Sequence, residues 1–382
     1  MVSASSRPKA QIIRLSATLD RQAALEDADA VLTSFRPGGF EARRLDERLP
    51  LRYGVIGQET QGPGGFFMAL RAVAVFREII AEMESLCSNA WLINYTNPIN
   101  IVSEAVTRHS AIRTISLCEG PIFFPHSVVR ASGLDPSRLD AVMIGLNHGC
   151  WSIRHLYNGQ SIIPRVQAAH DRVMADQAVS ASTKRLVELT CLFERFPAHY
   201  FQYYYYHDEL LAEMQAAPRT RSQVIMDEIP SYVAHYEEQA VAERPVLDPA
   251  RSRGGINELE LAVDVLAAIV NDQNVVFPCN VPNRGAIANF PDERVVEVPC
   301  LVNRHGATPL VQERLPEPVA GLVEMLGEYQ GAAAVAAWNG SRSDAIRALV
   351  SNPLVLELKK ATAIYDEMAA AHRAHLPDRL LR

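Results

Sequence analysis

Short apolar runs alternate with longer amphipathic stretches over the first 150 residues of the chain. Compact runs that are rich in Ile, Leu and Val and bounded by turn residues are typical of buried strands in a parallel sheet. This pattern predicts strands over residues 11–15, 30–34, 91–94, 112–117 and 141–144.

Between several of these strands, apolar residues repeat with the 3.6-residue period of a helix. The repeat predicts helices over residues 21–26, with Asp20 as the N-cap, over 40–49 and over 66–86. A glycine-rich loop is expected over residues 54–65. Because strands and helices alternate regularly, we predict a doubly wound α/β unit over residues 1–150.

The pattern changes after residue 150. Asn158 and Gly159 separate two segments of alternating polarity within residues 153–163, which predicts a β-hairpin. Helices are expected over 164–250, over 258–270 and towards the C-terminus, and strands over 275–281 and 295–300. We therefore predict a second, α+β domain over residues 151–382.

Three polar motifs follow predicted strands directly, and they contain Asn97, Cys118 and His148. Ligands bind at the carboxyl ends of the strands in open α/β sheets, so a Cys and a His in these positions are candidates to meet in one crevice. A thiolate and an imidazole together suit a borderline transition metal. Taken singly, each has an ordinary interpretation, because an isolated Cys is commonly a small buried hydrophobe and an isolated His is commonly a hydrogen-bonded structural residue.

Composition and charge indicate which binding partners and which cellular location to expect. The formal net charge of −7 argues against nucleic acid or an anionic membrane as the main partner. The sequence contains no apolar run long enough for a membrane helix and no secretory signal pattern. The six cysteines are too few and too scattered for a disulfide framework, so we expect a cytoplasmic protein.

Several segments together resemble glycoside hydrolase family 4, and most closely its 6-phospho-β-glucosidase branch. The matching segments are residues 35–43 (FRPGGFEAR), 53–60 (YGVIGQET), 62–65 (GPGG), 90–98 (AWLINYTNP), the turn at Cys118, 145–148 (GLNH) and 280–287 (NVPNRGAI). Most glycosidases use a pair of carboxylates, and this NAD-dependent family is an exception to that rule.

The resemblance implies how such a protein acts. In the family, NAD oxidises the sugar hydroxyl at C3, a base removes the acidified proton at C2, the substituent at C1 is eliminated, and water and hydride are then added. A divalent metal, typically Mn2+, holds the C2 and C3 oxygens and acts as a Lewis acid. The resemblance assigns the metal to Cys118 and His148. It also implies a small-molecule glycoside or phosphoglycoside as substrate and assembly as a homodimer or homotetramer.

The resemblance also implies substrate contacts at Arg36, Asn97, Asn147 and Arg284. Two of these have simpler explanations that stay open. Asn97 precedes a proline and so serves equally well to end a strand, and Arg36 is equally consistent with a solvated surface charge.

One departure from the family concerns the dinucleotide. The family begins with a strand, a Gly-Gly-Gly-Ser turn and a helix that grip the NAD pyrophosphate, and the chain enters the family pattern only near residues 15–20. We therefore predict an incomplete, Rossmann-like parallel sheet with a truncated or misassigned N-terminus. NAD is expected by resemblance alone, the residues that would bind it are unassigned, and residues 1–382 are expected to bind it poorly.

Two further departures concern the catalytic acid and base. Glu258 aligns with the family's usual tyrosine base, and a carboxylate can remove a proton next to a ketone. Glu258 is equally suited to the first turn of a helix, where negative charge is favourable, and then the base lies among residues 203–206 or at Tyr236. Glu119 replaces the residue that usually follows the family's cysteine, and either assists the leaving group or is a third metal ligand.

The sequence thus predicts a family 4 glycoside hydrolase that cleaves O-glycosidic bonds in glycosides or 6-phosphoglycosides. The first alternative is a catalytically inactive homologue that retains a metal-binding or sugar-binding pocket. The second is another redox or lyase reaction on a sugar acid, with the same metal and Glu258 as base.

Overall fold

The structure is a computed structural model that describes residues 14–251 and 256–382, without the side chains of 249 and 256–260. Nine strands in these ranges form one sheet with the order β1-β2-β3-β7-β8-β4-β5-β6, and β9 pairs with β8. The strands are β1 (Ala30–Thr33), β2 (Trp91–Asn94), β3 (Arg113–Ser116), β4 (Leu139–Leu146), β5 (Gly149–Tyr157), β6 (Gln160–Ser161), β7 (Val275–Pro282), β8 (Val295–Asn303) and β9 (Gly306–Pro309).

The sheet has a parallel part and an antiparallel part. Strands β1, β2 and β3 are parallel, as predicted, whereas every other pairing in the sheet is antiparallel. The junctions are narrow, because β3 meets β7 only at the pair Ser116 and Asn280, and β8 meets β4 only at Glu297 and Gly145. The mixed α/β class is confirmed.

The prediction that residues 141–144 form a further strand of the parallel sheet is wrong in its direction. Strand β4 is antiparallel to both β5 and β8. Only Asn147 and His148 lie between β4 and β5, and such a short connection can join only antiparallel strands, because a parallel pair needs a long crossover.

Fourteen α-helices lie in the described ranges, and the predicted helices are among them. They are α1 (Arg21–Leu25), α2 (Gly39–Arg48), α3 (Gly62–Leu86), α4 (Ile99–His109), α5 (Gly120–Ala131), α6 (Ile163–Ala175), α7 (Ala181–Phe193), α8 (Gln202–Tyr205), α9 (His207–Ala216), α10 (Arg221–Ala240), α11 (Ile256–Val270), α12 (Glu317–Asn339), α13 (Arg342–Val350) and α14 (Leu358–Ala371). None of the described helices is both long enough and apolar enough to cross a lipid bilayer.

Helix α3 begins four residues earlier than the glycine-rich pattern predicted. Pro63 lies in its first turn, where a missing N–H costs nothing. A Cβ atom on Gly64 would lie 2.3 Å from the carbonyl oxygen of Gln58, and one on Gly65 would lie 2.3 Å from the carbonyl carbon of Thr60. These glycines therefore let the start of α3 pack directly on the loop that precedes it.

The predicted helix cap and β-hairpin are confirmed, whereas two of the strands differ from the prediction. The side chain of Asp20 caps α1, and β5 and β6 form the hairpin around Asn158 and Gly159. Strand β9 was not predicted. The strand expected over 11–15 lies outside the described residues for 11–13, and Arg14 and Leu15 have no regular structure.

The C-terminal helices pack against the first third of the chain. Phe66 lies 6.4 Å from Tyr329 between ring centroids, and Phe67 lies 5.3 Å from Tyr365. A second apolar cluster lies around β4, β5, β7 and β8. The apolar cluster that contains Phe66, Phe67, Tyr329 and Tyr365 joins distant parts of the sequence. The division into domains at residue 150 therefore stays a prediction.

Candidate functional site

A cleft of about 810 Å3 lies at the carboxyl ends of the three parallel strands. The residues that follow β1, β2 and β3 line it, together with residues before α3 and after β4. Five residues singled out in the sequence lie on its wall: Arg36, Asn97, Cys118, Glu119 and His148. A second groove, of about 680 Å3 between α3 and residues 374–377, contains none of them.

Cys118 and His148 meet in this cleft, as predicted. The Sγ of Cys118 lies 3.9 Å from Nε2 of His148. Cys118 lies two residues beyond the end of β3, while His148 is the second residue of the β4–β5 turn and has a φ of +61°. That left-handed conformation is uncommon for a residue other than glycine, and strained residues of this kind concentrate at functional sites.

One hydroxyl group fixes the tautomer of His148. Oγ1 of Thr60 lies 3.1 Å from Nδ1 of His148 and 2.9 Å from Oε1 of Gln58. Gln58 Oε1 also accepts the backbone N–H of Gln61, so it is an acceptor and the proton of the Thr60 hydroxyl points to it. The hydroxyl oxygen therefore accepts the Nδ1–H of His148, which leaves Nε2 unprotonated and facing Cys118.

The environment of His148 keeps its imidazole neutral. Its ring stacks on Tyr200 with a centroid distance of 3.7 Å. Burial lowers the pKa of His148 to about 3, because a charged imidazolium is poorly solvated there. A neutral imidazole with its free nitrogen turned towards a cysteine is the form that binds a metal ion.

Cys118 and His148 would hold one metal ion between them. At the bond lengths that zinc makes, about 2.3 Å to sulfur and about 2.0 Å to nitrogen, one divalent ion would bridge the observed separation of 3.9 Å. The described residues contain no group of three or more His, Cys, Asp and Glu side chains suited to a metal. Glu119 lines the cleft but does not complete such a group, so the structure gives no support to its alternative role as third ligand.

Two arginines and a glutamate form a charged cluster at one end of the cleft. Nη2 of Arg36 lies 2.5 Å from Glu59, and Nη1 of Arg43 lies 2.9 Å from the same carboxylate oxygen. Arg43 also pairs with Glu47 at 2.7 Å. The buried Nη1 of Arg36 has no hydrogen-bond partner among the described residues.

Asn97 offers a second available group. Its side-chain oxygen Oδ1 is buried and without a partner in the described part of the chain. Because an unpaired buried acceptor is costly, a ligand that donates a hydrogen bond to it would be favoured. Asn97 lines the cleft, and its contact with a sugar stays a prediction.

Two predicted substrate contacts lie elsewhere. The Asn147 amide turns away from the cleft and donates to Oε1 of Glu297 at 3.0 Å. Arg284 is exposed in the turn after β7 and does not line the cleft. The structure therefore does not bring Asn147 or Arg284 to the cleft, because one is engaged by the sheet and the other faces solvent.

The predicted base and its alternatives are not in the described wall of the cleft. Glu258 lies in α11, but its side chain is outside the described residues, as is the 252–255 segment before the helix. Among the four tyrosines 203–206, Tyr204 donates to Gln61 and Tyr206 to Glu188, and none of the four lines the cleft. Tyr236 is exposed on α10.

Sequence reasoning missed Glu59, Thr60 and Tyr200, all three of which line the cleft. Glu59 and Thr60 belong to residues 53–60, one of the segments on which the family resemblance rests. A role for them in the site could therefore have been predicted. Tyr200 had no such signal. Burial and the nearby Cys118 and Glu59 hold the pKa of Tyr200 well above its usual value.

The comparisons with known proteins agree with this architecture. The model of the family 4 glycosyl hydrolases matches residues 1–134, and the model of their C-terminal domain matches residues 143–355. The chain belongs to family 4 of the glycosyl hydrolases.

The similarity to curated relatives extends over most of the length of those proteins. A protein of Bacillus subtilis named "Probable 6-phospho-beta-glucosidase" is 38% identical over 372 residues, which are 96% of this chain and 84% of the relative. The 6-phospho-beta-glucosidase of Escherichia coli is 35% identical over 380 residues, with 96% and 83% covered.

Solved structures share the fold. A 6-phospho-alpha-glucosidase from gut microorganisms in complex with NAD and Mn2+ has a TM-score of 0.80 at 28% identity. A 6-phospho-beta glucosidase from Thermotoga maritima with NAD and glucose-6-phosphate has a TM-score of 0.80 at 25% identity. Each comparison covers 94% of this chain and 84% of the other chain.

Proposed function

We propose that this chain hydrolyses 6-phosphoglycosides by the NAD- and metal-dependent route of its family. The observation that carries the proposal is the approach of Cys118 Sγ and His148 Nε2 to 3.9 Å on the wall of the cleft. The names of its relatives, which are 6-phosphoglucosidases, support the substrate class. A cytoplasmic location and a homodimer or homotetramer belong to the same proposal.

Cys118 and His148 would hold the metal, and Mn2+ is our choice because a related structure contains it. When bound, the metal supplies Lewis acidity towards oxygens of the substrate. The chain contributes the neutral imidazole set by Thr60 and coordination positions that remain open to a sugar.

The fit to NAD is partial. The cleft lies at the carboxyl ends of parallel strands, which is where dinucleotides bind in sheets of this kind. The amino-acid sequence of residues 1–382 contains no Gly-x-Gly-x-x-Gly motif, which receives the pyrophosphate in dinucleotide-binding folds. We therefore propose NAD as the redox cofactor from family membership, and we assign no residue to its pyrophosphate.

The charged end of the cleft suits the phosphate of a phosphorylated sugar. The unpartnered Nη1 of Arg36 provides a cationic donor. Helix α2 begins at Gly39 on the same wall, and the N-terminus of a helix favours an anion. Glu59 partly neutralises Arg36 and Arg43 and fixes their positions before substrate binds.

The remaining roles are assigned by position. Oδ1 of Asn97 would accept a hydrogen bond from a sugar hydroxyl. Glu119, beside Cys118, would assist departure of the leaving group, and Glu258 would remove the proton at C2. Asn147 and Arg284 stay proposed substrate contacts only if the substrate reaches beyond the cleft.

The test is incorporation of solvent deuterium. Incubated in D2O with a 6-phospho-β-glucoside, NAD and Mn2+, the protein should release glucose 6-phosphate that carries deuterium at C2, because the proton at C2 is removed and replaced. Glu258→Gln keeps the size of the side chain but removes the base, so it should suppress both exchange and hydrolysis more than it raises KM.

The control is Glu243→Gln, which changes an exposed glutamate on the surface and should leave the exchange unchanged. Hydrolysis without deuterium at C2 would refute the mechanism. Absence of both exchange and hydrolysis at saturating NAD would refute the activity and favour the inactive homologue.

A further inference from the structure

A row of buried polar residues crosses the sheet directly below the cleft. One residue from each of five neighbouring strands lies in register, and each is almost wholly buried: Thr33, Asn94, Ser116, Asn280 and Glu297. Glu297 then pairs with Gly145 on β4. Buried polar side chains are costly unless they are hydrogen-bonded, so such a row within an apolar sheet calls for a reason.

The row connects the strands that lead to the motifs of the cleft. Ser116 lies two residues before Cys118, and Gly145 lies three residues before His148. Strands β7 and β8 separate β3 from β4, and the ladder pairing of β3 with β7 and of β8 with β4 falls on residues of this row. The row is therefore the direct structural link between the two candidate metal ligands.

Glu297 connects the row to the turn that contains His148. Its Oε1 accepts hydrogen bonds from Nδ2 of Asn280 at 2.9 Å and from Nδ2 of Asn147 at 3.0 Å. Asn280 belongs to the strand that pairs with β3, and Asn147 is the first residue of the turn that carries His148. One oxygen atom thus joins the β7 side of the site to the His148 turn.

We propose that Glu297 is a positioning residue for the metal site, with Asn280 as its support. The carboxylate holds the Asn147 amide and thereby keeps the strained His148 turn at the distance from Cys118 that one ion can bridge. This inference rests on the proposed metal site and adds to it a residue that touches neither the metal nor the substrate.

Hydrogen bonding, and not negative charge, is the property that the geometry requires. Oδ1 of Asn147 and Oδ1 of Asn280 are buried acceptors without partners in the described residues, and the Cys150 thiol also hydrogen-bonds to the Glu297 carboxylate. A glutamine at position 297 would keep the Oε1 acceptor for both amides and place an NH2 group among the unpaired acceptors. Glu297→Gln should therefore preserve the site.

Glu297→Met removes the acceptor at similar volume. The change leaves the buried amides of Asn147 and Asn280 without this acceptor, at a cost of about 1–3 kcal/mol for each donor, so metal is titrated after circular dichroism has shown that the variant is folded. Loss of the groups that orient metal ligands typically weakens metal binding by about 10-fold to 100-fold. We expect that loss for Glu297→Met and near-normal binding for Glu297→Gln.

The measurement uses Co2+ alone, followed by the absorption band of cobalt–thiolate charge transfer, and Mn2+ alone, followed by electron paramagnetic resonance. Asn283→Ala is the matched structural control, because Asn283 is a buried side chain at the end of β7 that bonds only to the backbone of residues 287 and 290 among the described contacts. It should lower stability and leave both metal titrations unchanged.

The outcomes separate this inference from the proposed function. If Cys118→Ser retains the cobalt band, the metal site itself is wrong. If Cys118→Ser loses the band while Glu297→Met binds both metals within about threefold of the wild type, only the positioning role is refuted. Should Glu297→Met not fold, Asn147→Ala, which removes the amide that the carboxylate holds, decides by the same criterion.

Discussion

The candidate metal site depends on the orientation of single side chains. His148 offers Nε2 to Cys118 because the Thr60 hydroxyl, itself directed to Gln58, accepts the proton of Nδ1. The motifs alone predicted that Cys118 and His148 would meet, but they contain no information about Thr60, which lies 88 residues before His148 in the chain.

Thr60→Val should weaken Mn2+ binding by about 10-fold to 100-fold, because the shape of the side chain is kept while the tautomer and ring orientation of His148 lose their support. Thr60→Ser retains the hydroxyl and should bind within a few-fold of the wild type. Isothermal titration with Mn2+ makes the comparison. Equal affinities for the Val and Ser variants would contradict the role of the hydroxyl.

The sequence could indicate which residues lie on the cleft where a side chain directly follows a strand end, but not where a turn or a neighbour decides the direction of the side chain. Arg36, Asn97 and Glu119 line the cleft, and the roles that the resemblance implies for them stay predictions. The direction of Asn147 could not be read from the sequence, because it is set by Glu297, 150 residues away. Arg284 follows β7, an antiparallel strand whose end lies away from the cleft.

At the scale of elements, the β4–β5 hairpin decides the position of His148. Gly145 on β4 has a φ of +140°, and a Cβ atom there would lie 2.6 Å from the carbonyl oxygen of Gly149. The hairpin is therefore closed tightly at the residue that pairs with Glu297. No larger residue fits without a shift of β5.

Gly145→Ala should displace the hairpin, lower the free energy of unfolding by about 1–3 kcal/mol and weaken Mn2+ binding. Gly159→Ala is the control, since Gly159 also has a positive φ of +79° but no atom lies within 4 Å of its added Cβ, and its turn is remote from the cleft. Chemical denaturation and metal titration of both variants test this. If Gly145→Ala is destabilised but binds Mn2+ with unchanged affinity, the hairpin does not determine the geometry of the metal site.

Hydrophobic patterning predicted most elements but not the direction of β4. A fully buried strand shows the same apolar run in a parallel or an antiparallel sheet, so residues 141–144 carried no signal for direction. The short turn at Asn147 and His148 was the available clue. The start of α3 was missed for a related reason, because Gly64 and Gly65 resemble a loop until the close approach of residues 58–60 is known.

For the molecule as a whole, packing joins segments that the sequence separates. Helices α12, α13 and α14 share an apolar core with α3 and α4, a relation that no local pattern contains. Two buried ionisable groups of the site also couple protonation to stability. Burial lowers the pKa of His148 to about 3 and raises that of Glu297 to about 7.

These two shifts have opposite effects on stability. His148 stabilises the metal-free fold fully above its unfolded pKa of 6.5, and this contribution is lost as the pH falls towards 3. Glu297 contributes stability below its unfolded pKa of 4.5, and this contribution is lost as the pH rises through about 7. Between these two unfolded values the effects largely cancel, whereas below pH 4.5 only the loss from His148 remains.

We therefore expect the stability advantage of the wild type over His148→Gln to shrink by about 1.4 kcal/mol per pH unit between pH 6 and 4 in the presence of EDTA. The advantage over Glu297→Gln should grow over the same acidification down to about pH 4.5. Urea denaturation at several pH values measures both differences. A pH-independent difference for His148→Gln would mean that the imidazole is not buried as described.

Locating the metal ion itself decides whether Cys118 and His148 form the site, and anomalous diffraction at the manganese absorption edge does so. In crystals of the protein soaked with Mn2+, we expect one strong anomalous peak in the cleft, within bonding distance of Cys118 Sγ and His148 Nε2 and absent from crystals of Cys118→Ser. A peak bound by other residues, or no peak at saturating Mn2+, would contradict the assignment of the metal to Cys118 and His148.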